Sequence, residues 1–225
     1  LSYCDVKNAQ TGVKAEPGSG IINILNVNLT NCSQTGIALL GLQGDGPLTP
    51  PPPTIYNCNI TGSSTGISVA NYNEILVTGN HLTNGGISIL SVTSAFIQAN
   101  IIDGGSVPPF AGIFMDNSGG YIRCNFVNNC LNGIRLANSS PDVGSNYLEH
   151  NLYHGVYIGS GSIPNMIGRL ISGPPYTWYG ASGFNRIIEN GMGEVIGEPS
   201  DNDGSEIYFS SSSALLGEEK RPGCN

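Results

Sequence analysis

One short element recurs along the whole first two-thirds of this chain. It consists of an apolar residue, two variable residues, an Asn or small residue, one variable residue and a second apolar residue. It reads Leu1-Cys4-Val6, Ile24-Val27-Leu29, Ile55-Cys58-Ile60, Val77-Asn80-Leu82, Ile97-Asn100-Ile102, Ile122-Asn125-Val127 and Val143-Asn146-Leu148. After each comes a glycine and an alternating triplet: Gly12-Val13-Lys14-Ala15, Gly36-Ile37-Ala38-Leu39, Gly66-Ile67-Ser68-Val69, Gly86-Ile87-Ser88-Ile89, Gly112-Ile113-Phe114-Met115, Gly133-Ile134-Arg135-Leu136 and Gly155-Val156-Tyr157-Ile158. The glycine spacings run 24, 30, 20, 26, 21 and 22. A recurrence of this length marks stacked repeats, in which one unit cannot bury its apolar face without a neighbour.

The triplets alternate at period two, which puts Ile113 and Met115 on one face of a strand and Phe114 on the other. Unequal repeats around a constant motif predict a coil whose corners tolerate insertions. Each strand then pairs in parallel with its counterpart one rung away, about 4.8 Å along the axis. Inward positions pile like on like. The Asn column (Asn80, Asn100, Asn125, Asn146) is expected to point inward, with amides bonded from rung to rung and a backbone suited to a tight left-handed corner. The alternative places these Asn in solvent-facing turns. Composition agrees with strands and corners. Glycine is 32 of 225 residues and charged residues only 11%, and Gly, Asn and Ser are poor helix-interior residues.

This pattern resembles the right-handed parallel β-helix repeat family, the pectate-lyase-like solenoid superfamily. The resemblance implies an all-β, single-stranded right-handed parallel β-helix of about eight to nine rungs. It covers residues 1–160 as regular rungs. Residues 161–225 read as a continuation of the same solenoid with an incomplete last rung. There Asn165-Met166-Ile167 and Leu215-Leu216-Gly217 look equivalent, and Gly183-Phe184-Asn185-Arg186-Ile187 restarts the motif. Three proline-bearing insertions, at 44–53, 104–110 and the aromatic loop 172–183, are expected to project from corners.

That family contains polysaccharide lyases, glycoside hydrolases and epimerases, and the resemblance implies outward carboxylates on consecutive strands, with Ca²⁺ or a paired-acid mechanism. Here the outward middle positions read Lys14, Ala38, Ser68, Ser88, Phe114, Arg135 and Tyr157, and Asp116 stands alone. The Asp-Asp, Gly-His-Gly and Arg-x-Lys signatures of the hydrolases and lyases are missing. The residues therefore favour an extracellular or cell-surface structural or adhesive solenoid over an enzyme. Glu149, His150 and His154, near Arg135, are the candidates for proton abstraction if it is one; a solvated polar corner is the plainer reading. Asp201, Asp203 and Glu206 form part of a Ca²⁺-loop pattern whose first and last ligand positions hold Pro199 and Ser210. No other cofactor is indicated. Partner contact is expected at Tyr176, Trp178 and Tyr179; an outward apolar face comprising Phe114, Phe126, Tyr147 and Tyr157 with His81 and Ile101 is expected to be covered, either by a partner or by a corner loop or the C-terminal tail.

A net charge of −8 with eight Lys and Arg argues against nucleic acid, and no apolar run is long enough for a membrane span. The chain starts and stops mid-motif without polar caps. It is therefore expected to be a segment adjoining others in a longer chain, or a subunit that self-associates by stacking open solenoid ends; polysaccharide is a further partner class. Of the six cysteines, Cys4 and Cys58 occupy the Asn column two rungs apart, and Cys32 and Cys130 lie in distant rungs. Two rungs exceed disulfide reach, so these four are expected as buried free thiols. The state of Cys124 and Cys224 is open.

Overall fold

The computed structural model describes residues 1–17, 22–42, 52–106, 108–159, 161–167, 185–188, 205–209 and 215–217. The chain opens with β1 (Asp5–Lys7) and β2 (Thr11–Ala15). Six full coils of three strands follow: β3 (Asn23–Leu25), β4 (Asn28–Thr30) and β5 (Thr35–Leu40); β6 (Thr54–Tyr56), β7 (Asn59–Thr61) and β8 (Thr65–Ala70); β9 (Glu74–Thr78), β10 (His81–Thr83) and β11 (Ile87–Leu90); β12 (Ser94–Gln98), β13 (Ile101–Asp103) and β14 (Ile113–Asp116); β15 (Gly120–Arg123), β16 (Phe126–Asn128) and β17 (Asn132–Ala137); β18 (Asp142–Gly144), β19 (Tyr147–Glu149) and β20 (His154–Ile158). Four later strands, β21 (Asn165–Ile167), β22 (Arg186–Ile188), β23 (Ser205–Phe209) and β24 (Leu215–Gly217), extend the stack. The strands β21, β22 and β23 add one to each sheet, so every sheet is eight strands deep around about six regular turns, against the eight to nine rungs expected.

Every third strand pairs in parallel, giving three eight-stranded sheets. We call them sheet 1 (β3 to β24), sheet 2 (β1 to β22) and sheet 3 (β2 to β23), in the order the chain visits them within a coil. The winding is a right-handed parallel β-helix. On sheet 3, Ile37, Ile67, Ile87, Ile113, Ile134 and Val156 stand in one register column, and all are buried. Each such side chain contributes about 1.5–3 kcal/mol by leaving water. The paired turns read near the C-terminus do meet: Met166 pairs with Leu216 across β21 and β24.

The Asn column points inward. Asn100 donates from its backbone N (3.0 Å) and its Nδ2 (2.9 Å) to Oδ1 of Asn125, and Asn80 does the same to Asn100 at 3.0 Å each. Each amide also donates to a backbone carbonyl of the preceding rung, Asn100 to Val77 at 3.0 Å and Asn125 to Ile97 at 3.0 Å. The column continues to Asn185, whose Oδ1 accepts from Asn146 Nδ2 at 2.9 Å. The expected left-handed backbone is displaced by one position. It belongs to the preceding residue: Asn57 (φ 53°), Gly79 (64°), Ala99 (53°), Cys124 (56°) and Ser145 (56°). That residue turns the chain between sheets 1 and 2, and the turn aims the following Asn side chain into the core.

A second inner ladder, of serine, lines the corner from sheet 3 to sheet 1. Val92, Ser118 and Ser139 each donate a backbone N–H to the hydroxyl one rung on, at 3.0–3.1 Å. The glycines opening sheet 3 are there for space. A Cβ on Gly36, Gly66 or Gly112 would come within 2.2–2.5 Å of the side chains of Ile60, Leu82 and Val127 respectively.

Cys4, Cys32, Cys58 and Cys130 are free, and the last three are fully buried. Burial, aided by the Asp103 carboxylate, pushes the Cys130 thiol up to about 12, and burial also raises that of Cys58. Thiolate is the reacting form. A thiol reagent at mildly alkaline pH should therefore label Cys4, which is partly exposed, and leave Cys32, Cys58 and Cys130 unmodified until urea unfolds the chain. Mass spectrometry of the labelled peptides checks this, and rapid native labelling of Cys130 would contradict the packing. Cys124 is disulfide-bonded; Cys224 is the remaining cysteine of the sequence and lies outside the described residues.

Candidate functional site

With apolar and amide columns filling the interior, function falls to the outward positions. These change in character along the axis. On sheet 2 the first coils present Asn28 and Asn59, with Asn59 Nδ2 donating to Asn28 Oδ1 at 2.9 Å. Ile101, Phe126 and Tyr147 follow in register. The Phe126 and Tyr147 rings stack, with centroids 5.1 Å apart and planes 16° from parallel, and Ile101 is 48% exposed. Sheet 1 has an outward aromatic column that was not read from sequence. Phe96 and Tyr121 pack at 4.7 Å, and Arg123 lies 4.5 Å from the Tyr121 ring while reaching Asp142 at 3.3 Å.

Sheet 3 and its corner with sheet 2 carry the densest group. Phe114, Arg135 and Tyr157 are register neighbours on β14, β17 and β20. The Arg135 guanidinium carbon lies 4.2 Å from the centre of the Phe110 ring and 4.7 Å from that of Tyr157. His154 packs on Tyr157 at 5.6 Å, and Tyr153 on His154 at 6.5 Å. Phe110 closes the 104–110 insertion. It was expected to project from its corner; instead its ring folds back over Arg135. The attraction is of the cation–π kind, about 0.5–1 kcal/mol at an exposed site.

Glu149, His150 and His154 are spread over the corner between sheets 2 and 3. Glu149 ends β19 on sheet 2, and His150 turns the next corner with φ 51°. The two approach each other at 3.9 Å, whereas His154 starts β20 on sheet 3 beside Arg135 and Tyr157. Burial, then the positive charge of Arg135, lowers the pKa of His154, which keeps its imidazole neutral at neutral pH. Tyr176, Trp178, Tyr179, Asp201 and Asp203 lie outside the described residues, and Glu206 falls on β23. Among the described residues no three His, Cys, Asp or Glu side chains are grouped to hold a metal ion.

A parallel coil with two inner hydrogen-bonded ladders and stacked apolar columns defines a β-solenoid. Residues 11–191 match the family described as "right handed beta helix region", and the chain belongs to that family. No curated protein and no solved structure matches it.

Proposed function

We propose that this chain is a structural or adhesive β-solenoid of an extracellular or cell-surface protein, a stiff rod that presents partner-binding side chains on its outer faces. The observation that carries this reading is the outward surface of the middle coils. Tyr, Phe and Arg are the residue types enriched where proteins meet partners, and here they replace the Asn and Ser of the earlier coils. A surface setting is favoured by the disulfide at Cys124, since such bonds persist in oxidising compartments. The low charge is compatible with such a setting. Further coils of a longer chain, or stacked copies, would extend the rod by the same strand pairing.

One observation favours a polysaccharide-acting enzyme as a second reading. Asp103, Asn128 and Glu149 form one outward column on sheet 2, which sets two carboxylates two rungs apart, about 9.6 Å. Against it, Asp103 Oδ1 is already engaged by the Gly105 N–H at 2.9 Å and Asn129 Nδ2 at 3.1 Å, as a corner brace. The two readings separate in one assay. The full chain, incubated with polygalacturonate and alginate with and without Ca²⁺, should release neither unsaturated products nor reducing ends. Antibody labelling should place it on the outside of the producing cell. Turnover lost on Glu149→Gln or Asp103→Asn would overturn the scaffold reading in favour of the enzyme.

A further inference from the structure

The two arginines on the outer faces of the middle coils are built differently. Arg123 lies over Tyr121 and has a carboxylate, Asp142, at 3.3 Å. Arg135 lies between the rings of Phe110 and Tyr157, and no carboxylate among the described residues pairs with it. The Nε of both arginines is enclosed and meets no acceptor, so the difference lies in the carboxylate beside Arg123. A guanidinium clamped between rings has lost its side-chain freedom before any ligand arrives, so a planar carboxylate can join it at little further ordering cost. Among the described residues Arg135 is therefore a cation that a carboxylate from outside can complete.

The surroundings indicate what brings that carboxylate. The sheet 2 to sheet 3 corner stacks Pro109, Leu131 and Tyr153 in one column, with Leu131 N donating to Pro109 O at 3.0 Å and Tyr153 N to Leu131 O at 2.8 Å. Phe110 is 54% exposed, Leu152 53% and Tyr153 39%. A sugar ring can stack on the aromatics, but its many hydroxyls need polar partners, which Leu and Pro do not supply. An apolar rim around one unpaired cation fits a peptide segment with a single acidic side chain between apolar ones. The overall charge of −8 also disfavours a polyanion more than a single carboxylate.

We propose that the corner formed by Phe110, Arg135, Leu152, Tyr153 and Tyr157 docks a segment of another polypeptide, and that Arg135 receives an Asp or Glu side chain, or a C-terminal carboxylate, flanked by apolar residues. This rests on the adhesive reading above and names the partner's chemistry. The test uses a displayed library of short random peptides selected on the intact chain and on Arg135→Gln. The wild type should enrich peptides in which an acidic residue is flanked by aromatic or aliphatic ones, and Arg135→Gln should not. The best peptide should bind wild type roughly tenfold more tightly than its Glu-to-Gln counterpart, as loss of one charge-assisted pair at a half-buried site entails. That comparison is made on unaltered protein and so is independent of any effect of the variant on folding. Phe110→Ala should weaken the same peptide. The proposal is overturned if enrichment shows no acidic residue, if the Gln peptide binds equally well, or if oligogalacturonate binds through Arg135 while no peptide does. Failure of the scaffold reading would instead appear as turnover in the polysaccharide assay, whatever the peptides do.

Discussion

Replacing Asn125 by Ala should lower the stability of the solenoid by about 3–5 kcal/mol, the sum of two or three buried polar groups left without partners at about 1–3 kcal/mol each. Asn125 Oδ1 accepts both the backbone N–H and the Nδ2 of Asn100, and its own Nδ2 donates to Ile97 O, Arg123 O and Asn146 Oδ1, all at 2.9–3.0 Å. Alanine removes all of these at once in a place water does not reach, since Asn100, Asn125 and Asn146 are each 1% exposed. The control is Asn59→Ala on the outer face. The Asn59 amide also bonds an Asn one rung away, Asn28 at 2.9 Å, but in solvent, where water substitutes; its loss should stay within about 0.5 kcal/mol. Urea unfolding followed by circular dichroism measures both. Equal small losses at the two positions would mean that the inner ladder does not hold the coils together.

Gly112→Ala should cost about 3 kcal/mol, at the upper end of overpacking changes in a filled interior. The added Cβ would sit 2.2 Å from Val127 Cγ1 and 2.9 Å from the carbonyl oxygen of Gly133. Val127 is fully buried, and Gly133 is backbone of the adjacent coil. Relief therefore requires two coils to move apart, at the expense of the strand pairing of β14 with β17. Thermal unfolding of Gly112→Ala beside Ser88→Ala, an outward change on the neighbouring strand β11, isolates the effect. A melting temperature for Gly112→Ala within a degree or so of wild type would show that the coils are spaced more loosely than these contacts allow.

Much of this architecture is legible in the residues. Period-two triplets led by glycine place Ile113 and Met115 inside and Phe114 outside, and the coil has them so. The four cysteines assigned to inward columns are free thiols, because like positions in a parallel coil stack vertically and distant rungs stay apart. Asn185, at a restart of the motif, extends the Asn ladder across 39 residues of sequence. The serine ladder is not legible in the sequence, because Ser118, Ser139 and Ser162 occur in corners of differing sequence with no flanking apolar pattern. The left-handed positions lie one residue before the Asn column, since Asn is the residue type that suggests them, while Ala99, Cys124 and Ser145 are the ones that adopt them.

The order of inward and outward side chains, and the pairing of like with like, follow from sequence alone. Alternation along a strand and recurrence between strands are local and periodic properties, and only one winding buries them all. The Arg135 site is of the other kind. Phe110 comes from an insertion outside the repeat, Arg135 and Tyr157 from two successive coils, and nothing in their spacing says which loop will cover the outer face or which side chain it will bring. Only the packed coil brings those rings to either side of one cation, because the path of a corner loop is decided by the surface it finds beneath it.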